Sequence, residues 1–144
     1  MNHTQKAIAF REAMEQPVDT SDPTVWQMQQ QLIAEEAYEF MAESRLSIHM
    51  QANTQRAFSD AEWQRQNATT LKELADLAFV CFQYAAAMGW DLDEARNRIW
   101  ASNMSKLGDD GQPFRRDDGK ILKGPNYVPP DLADLVQQGP YNTL

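Results

Sequence analysis

Leu32-Ile33-Ala34-Glu35-Glu36-Ala37-Tyr38-Glu39-Phe40-Met41 and, further along, Leu71-Lys72-Glu73-Leu74-Ala75-Asp76-Leu77-Ala78-Phe79 are the two stretches on which the reading of this chain turns. In each, apolar side chains recur every three or four residues, the repeat of a helix with one covered face. In each, carboxylates stand among them, also three or four residues apart. Around both stretches, residues 24–107 hold a single glycine, Gly89, and no proline, the condition for long unbroken helices.

The element boundaries follow from capping residues. A first helix fits residues 4–15, on the stripe Ala7, Ile8, Phe10 and Met14, and Pro17 ends it. Ser21 or Asp22 caps the second, Pro23 suits its first position, and its periodicity runs from Val25 to about residue 50. For the third helix, Ser59 with Glu62 offers a capping box and Thr69 or Thr70 a later start. Its stripe is Leu71, Leu74, Leu77, Ala78, Cys81, Phe82, Ala85 and Met88, and Gly89 stops it. A fourth helix begins at Asp91 or Asp93 and ends near Gly108, and a short one fits 131–137. No stretch alternates as a strand does. The expected fold class is all-α: a helical bundle, with a helical domain over residues 1–108 and an extended tail over 109–144 contributing to the same domain and site.

Composition narrows the function. The 144 residues carry 21 acidic against 13 basic side chains, a formal charge of −8. Duplex-binding domains carry a basic footprint, so no nucleic-acid partner is expected. The single cysteine, Cys81, lies in an apolar run and reads as core filler in a reducing compartment. The N-terminus lacks the apolar stretch of a signal peptide, and the most apolar run, residues 77–88, is too short to cross a bilayer. The expectation is a cytoplasmic protein with no membrane partner.

The acidic pairs carry the chemistry. A lone Glu-x-x-Glu on a helix is ordinarily a solvated stripe. Here Glu35, Glu36 and Glu39 on one helix face Glu73 and Asp76 on the next, both sets mid-helix among Leu, Ala and Phe. Packing the two faces together brings four or five carboxylates into one place, where like charges repel and desolvation penalises each. A divalent cation resolves both costs, and all-oxygen ligands favour Mg²⁺ or Mn²⁺. Neither His3 nor His49 stands three residues after one of these acids, so a di-iron site is not expected.

Glu35-Glu36-x-x-Glu39 followed by Glu73-x-x-Asp76 resembles the signature of the MazG-like all-α nucleoside triphosphate pyrophosphohydrolases, relatives of the dimeric dUTPases. The tail, with Asn103-x-x-Lys106 and then Asp118-Gly119-Lys120-Ile121-Leu122-Lys123-Gly124-Pro125-x-Tyr127-x-Pro129-Pro130, resembles phage-type members, the group called MazZ. One departure is the longer separation of Glu39 from Glu73, which implies an extended helical hairpin. The resemblance implies hydrolysis of a (d)NTP, chiefly dGTP or GTP, to the monophosphate and pyrophosphate. It implies Glu36, Glu39, Glu73 and Asp76 as ligands of two or more Mg²⁺ or Mn²⁺ ions. Glu35 would be a further ligand or would orient the attacking water. Lys106, Lys120 and Lys123 would meet phosphates, Asn103 phosphate or sugar, and Tyr127 the base. A base pocket where the first two helices meet, from Phe10, Met14, Trp26 and Gln30, is a separate expectation. The family also implies a four-helix core completed by oligomerisation, as a homodimer or homotetramer. The alternatives are a hydrolase of the same fold for dUTP or a phosphoribosyl nucleotide, and a non-catalytic helical interaction protein.

Overall fold

The computed structural model describes residues 1–53 and 56–136. Four α-helices follow one another: α1 (His3–Ala13), α2 (Pro23–Ala52), α3 (Asp60–Met88) and α4 (Leu92–Met104). Among the described residues there is no strand, only an isolated bridge between Arg115 and Ile121. The class is all-α. The chain divides into two compact units, essentially His3–Gly89 and Trp90–Leu144. No described helix is long and apolar enough to cross a membrane.

In the first unit, α2 and α3 form an antiparallel hairpin. Asp22 starts α2 by accepting from the Thr24 amide at 2.9 Å, with Pro23 in the first turn. Ser59 starts α3 through a complete capping box: its hydroxyl accepts from the Glu62 amide, and the Glu62 carboxylate accepts from the Ser59 amide. The later start at Thr69 or Thr70 is therefore not used. Those hydroxyls are used otherwise, Thr69 Oγ1 donating to the Arg65 carbonyl within α3 and Thr70 Oγ1 to the carbonyl of Glu43 across the hairpin. Cross-hairpin bonds fix the register: Gln66 Nε2 donates to Glu43 Oε2 at 2.9 Å, and Ser47 Oγ lies 2.7 Å from Thr70 Oγ1.

Helix α1 lies on α3. The His3 ring stacks on Phe82, and Phe10 meets Phe79 edge-on with centroids 5.0 Å apart. The turn into α2 is held by Arg11 Nε donating to the Pro17 carbonyl, and by the amides of Asp19 and Thr20 donating to the carbonyls of Ala86 and Ala87. Gly89 ends α3 in the left-handed region at φ 73°, and a Cβ there would stand 2.3 Å from Asp19 Oδ1. Both the backbone angle and the close approach require glycine.

The covered core is thin. Among the described residues only Ala7, Val80, Ala85, Ala86 and Ala87 are buried apolar side chains, while Arg11, Gln29, Glu73, Gln83 and Ser102 are buried polar ones. The stripe expected to be covered on α3 is in part exposed: Leu71 is 65% accessible, and Leu74 and Phe79 are each 45%. Residues 66, 70 and 73 hold the seam with α2 instead, so the hairpin closes on a polar line and leaves apolar area outside.

In the second unit, Asp91 caps α4 through the Glu94 amide. The segment after α4 returns along it and is pinned there. Ser102 Oγ donates to the Val128 carbonyl at 2.7 Å, the Val128 amide to Ser105 Oγ at 2.8 Å, and Asn126 Nδ2 to Asp109 Oδ1. Arg98 joins Glu94 to Asp134 and to the Asp131 carbonyl. A tight turn at residues 116–120 is closed by the Arg116 amide on the Lys120 carbonyl. The expected helix over 131–137 is a single 3-10 turn, Ala133–Leu135, and residue 137 lies outside the described residues.

Candidate metal centre on the helical hairpin

Glu36 comes from the middle of α2 and Glu73 and Asp76 from α3. The antiparallel register set by Glu43, Gln66 and Thr70 carries these three to the same level one heptad further along. One carboxylate oxygen from each lies within 4.8 Å of the other two. Glu73 is buried, and Glu36 and Asp76 are half-buried. The Oε2 atoms of Glu36 and Glu73 are both buried with no hydrogen-bond partner among the described residues. Unpartnered buried carboxylate oxygens are rare, and each needs a partner from outside the protein's own donors.

The electrostatics agree. The Glu36 carboxyl is held above its ordinary value, first by desolvation and then by the charges of Glu39, Asp76 and Glu73. Lys72 acts in the other direction. Its ammonium sits 2.8 Å from Asp76 Oδ2 and 3.2 Å from Glu73 Oε1, and those bonds push its own pKa up. Lys72 is exposed and holds only the outer edge of the cluster. The oxygens left over are hard donors, and the donor set fits a hard divalent cation such as Mg²⁺ or Mn²⁺.

A cation bound at the cluster would compete with Lys72 for Asp76 and Glu73, so Lys72→Met is expected to tighten Mn²⁺ binding by roughly two- to fivefold, the scale of an exposed ion pair. Titration calorimetry on the two proteins measures this. Weaker binding in the variant would mean that Lys72 orients the carboxylates instead of competing for them.

The other expected residues are distributed as follows. Glu39 is close enough to raise the Glu36 pKa but is exposed and stands outside the three-residue cluster. Glu35 is also exposed; it accepts from Gln31 Nε2 at 3.0 Å and lines a shallow surface with Gln31, Ala34, Tyr38 and Glu39. The four residues named for a base pocket where the first two helices meet are placed as follows. Phe10 is used against Phe79 on α3, Met14 and Gln30 are exposed, and Trp26 donates its indole N–H to the Thr20 carbonyl. Asn103, Lys106, Lys120, Lys123 and Tyr127 all belong to the second unit. There Asn103 and Lys120 are exposed, Lys106 is half-buried, and the Lys123 ammonium lies 4.6 Å above the Tyr127 ring.

Three polar residues of the hairpin did not stand out in the sequence: Lys72, bonded to Asp76 and Glu73, and the buried Gln29 and Gln83. Gln29 precedes Glu36 by one heptad and Gln83 follows Asp76 by one, so the seven-residue step from the acids was the signal for both. Lys72 is four residues before Asp76, the spacing of a helical ion pair.

No protein-family model matches this chain, and no curated protein is similar enough in sequence to count as a match.

Proposed function

We propose that this chain is a metal-dependent nucleoside triphosphate pyrophosphohydrolase of the MazG-like type, converting a (d)NTP, with dGTP or GTP first, to the monophosphate and pyrophosphate. The observation that carries the reading is the convergence of Glu36, Glu73 and Asp76 with two buried, unpartnered carboxylate oxygens. The Glu35-Glu36-x-x-Glu39 and Glu73-x-x-Asp76 spacing supports it as a resemblance.

Glu36, Glu73 and Asp76 would hold Mg²⁺ or Mn²⁺, with Glu39 one turn from Glu36 extending the set toward a second ion. The ion, when bound, supplies Lewis-acid polarisation of phosphoryl oxygens and neutralises charge on the triphosphate. In this reading, as the resemblance implies, Glu35 is a further ligand or orients the attacking water, whose proton passes to solvent. The oxygen of that water forms a new bond to phosphorus, the phosphoanhydride bond breaks, and pyrophosphate leaves with its electrons. The resemblance alone assigns Lys106, Lys120 and Lys123 to phosphate, Asn103 to phosphate or sugar and Tyr127 to the base. Positioning and electrostatics supply most of the rate in such reactions.

The exposed apolar side chains of the hairpin, among them Met28, Tyr38, Leu46, Ile48 and Leu71, favour assembly into a homodimer or homotetramer in which a second hairpin covers them. The experiment that tests the function is pyrophosphate release from a panel of NTPs and dNTPs with Mg²⁺, with Mn²⁺ and with EDTA. Release that needs the metal and is strongest with dGTP is the expected result. Preference for another nucleotide would keep the mechanism and overturn the guanine assignment. No release from any nucleotide with either metal would end the enzyme reading in favour of a helical interaction protein.

A further inference from the structure

The acids are not the only polar groups inside the hairpin. Gln29 and Gln83 are each only 3% accessible. Both terminal atoms of Gln83 and the Oε1 of Gln29 lack a hydrogen-bond partner among the described residues. One heptad on from the level of Glu36 and Asp76, counted back along α2 and forward along α3, stand Gln29 and Gln83. The two amides are therefore one heptad from the acids along both helices, about 10 Å at ~1.5 Å per residue. A third buried polar group belongs to the same unit: Arg11 is 1% accessible, its Nε is fixed on the Pro17 carbonyl, and its NH1 has no partner.

These groups include donors and acceptors that would satisfy one another if they met. None does, although burying an amide unbonded is costly. Buried groups with complementary capacity and no mutual bond invite a third party. That party must be planar or small, must carry a donor beside an acceptor, and must lie within reach of the acid cluster.

We propose that Gln29 and Gln83 form the specificity-determining layer that takes the hydrogen-bonding edge of a nucleobase, while the acid cluster holds the metal and phosphates of the same ligand. A carboxamide presents one donor and one acceptor side by side, the complement of a base edge, and pairs with it in two parallel bonds. The separation of the two layers suits the span from a nucleotide's phosphates to that edge. This inference rests on the reading of the acid cluster as a metal–phosphate site.

The test uses the full chain with Mn²⁺ and titration calorimetry. The ligands are the four α,β-imido deoxynucleoside triphosphates, which resist cleavage, and inorganic tripolyphosphate, which has no base. The wild type is expected to bind at least one nucleotide roughly tenfold more tightly than tripolyphosphate, the scale of one or two added hydrogen bonds. Gln83→Met and Gln29→Met should each erase most of that advantage and leave tripolyphosphate binding unchanged. Their melting temperatures should hold or rise, because an unbonded buried amide is replaced by an apolar side chain of similar length. If the variants bind nucleotides as the wild type does, the amides take ordered water only and the proposal falls while the metal site stands. If both variants melt lower and lose tripolyphosphate binding with nucleotide binding, the amides are structural and the proposal also falls. If the wild type does not bind tripolyphosphate with Mn²⁺ at all, the reading of the acid cluster fails first.

Discussion

Glu36→Gln is expected to cut metal-dependent pyrophosphate release by roughly three orders of magnitude, the scale of losing a group that stabilises charge in the transition state. It should do so without unfolding the protein, since the amide keeps the volume of the carboxyl. The stability effect should even have the opposite sign. In the metal-free chain Glu36 is desolvated and repelled by Glu39, Asp76 and Glu73. Removing its charge relieves that repulsion, so the metal-free variant should melt at or above the wild-type temperature at pH 7. Steady-state turnover and a thermal melt in EDTA, made on one preparation, check both halves. Turnover within tenfold of wild type would remove Glu36 from the mechanism. A large fall in melting temperature would mean that its carboxylate is structural.

Added Mn²⁺ should stabilise the chain, and the size of the effect should depend on pH in a definite direction. An ion present at a hundred times its dissociation constant contributes about 2.7 kcal/mol, which for a chain of this size raises the melting temperature by roughly 10 °C. The Glu36 pKa is raised in the metal-free fold above its ordinary 4.5. A raised acid contributes stability that is fully present below its unfolded value and is lost as the pH climbs through its folded value. The metal-free protein therefore gives up this contribution on going from pH 4.5 to neutrality. Protons and the ion compete for the same oxygens, so the Mn²⁺-induced rise should be largest near pH 7 and should fade toward pH 4.5. Differential scanning fluorimetry with and without Mn²⁺ at several pH values measures the difference, in which the titration of unrelated groups cancels. A rise that does not depend on pH would mean that the ion binds away from Glu36.

The long helices were legible because residues 24–88 hold no glycine or proline, and the caps at Asp22, Ser59 and Gly89 all form. The start of α3 was ambiguous because Ser59 and Thr70 are both capping residues. A tertiary bond from Thr70 to Glu43, invisible in local sequence, resolves it. Which helix α1 would meet was not legible either, since the Phe10 ring suits an apolar face on α2 or α3 equally well. At the site, sequence put five carboxylates within reach. Register then decides which of them converge: Glu36 turns toward α3, whereas its neighbour Glu35 turns to Gln31 on the outside. The same one-residue distinction separates buried Gln29 from exposed Gln30.

The polar positions of α2 at 29, 36 and 43 make the hairpin a ruler graduated in two-turn steps. Glu43 with Gln66 and Thr70 marks one graduation, the acid cluster the next, and the buried Gln29 and Gln83, seven residues on from Glu36 and Asp76, the third. Seven residues are close to two whole turns of helix. Lengthening both arms by seven residues between the Glu43 level and the tip would move the tip outward and leave every graduation in phase. Two residues added to one arm alone, between graduations, would turn one set of side chains to the far side of its helix and separate the acids. The arms can thus change length only in matched quanta, and that rule restricts the hairpins able to carry this cluster.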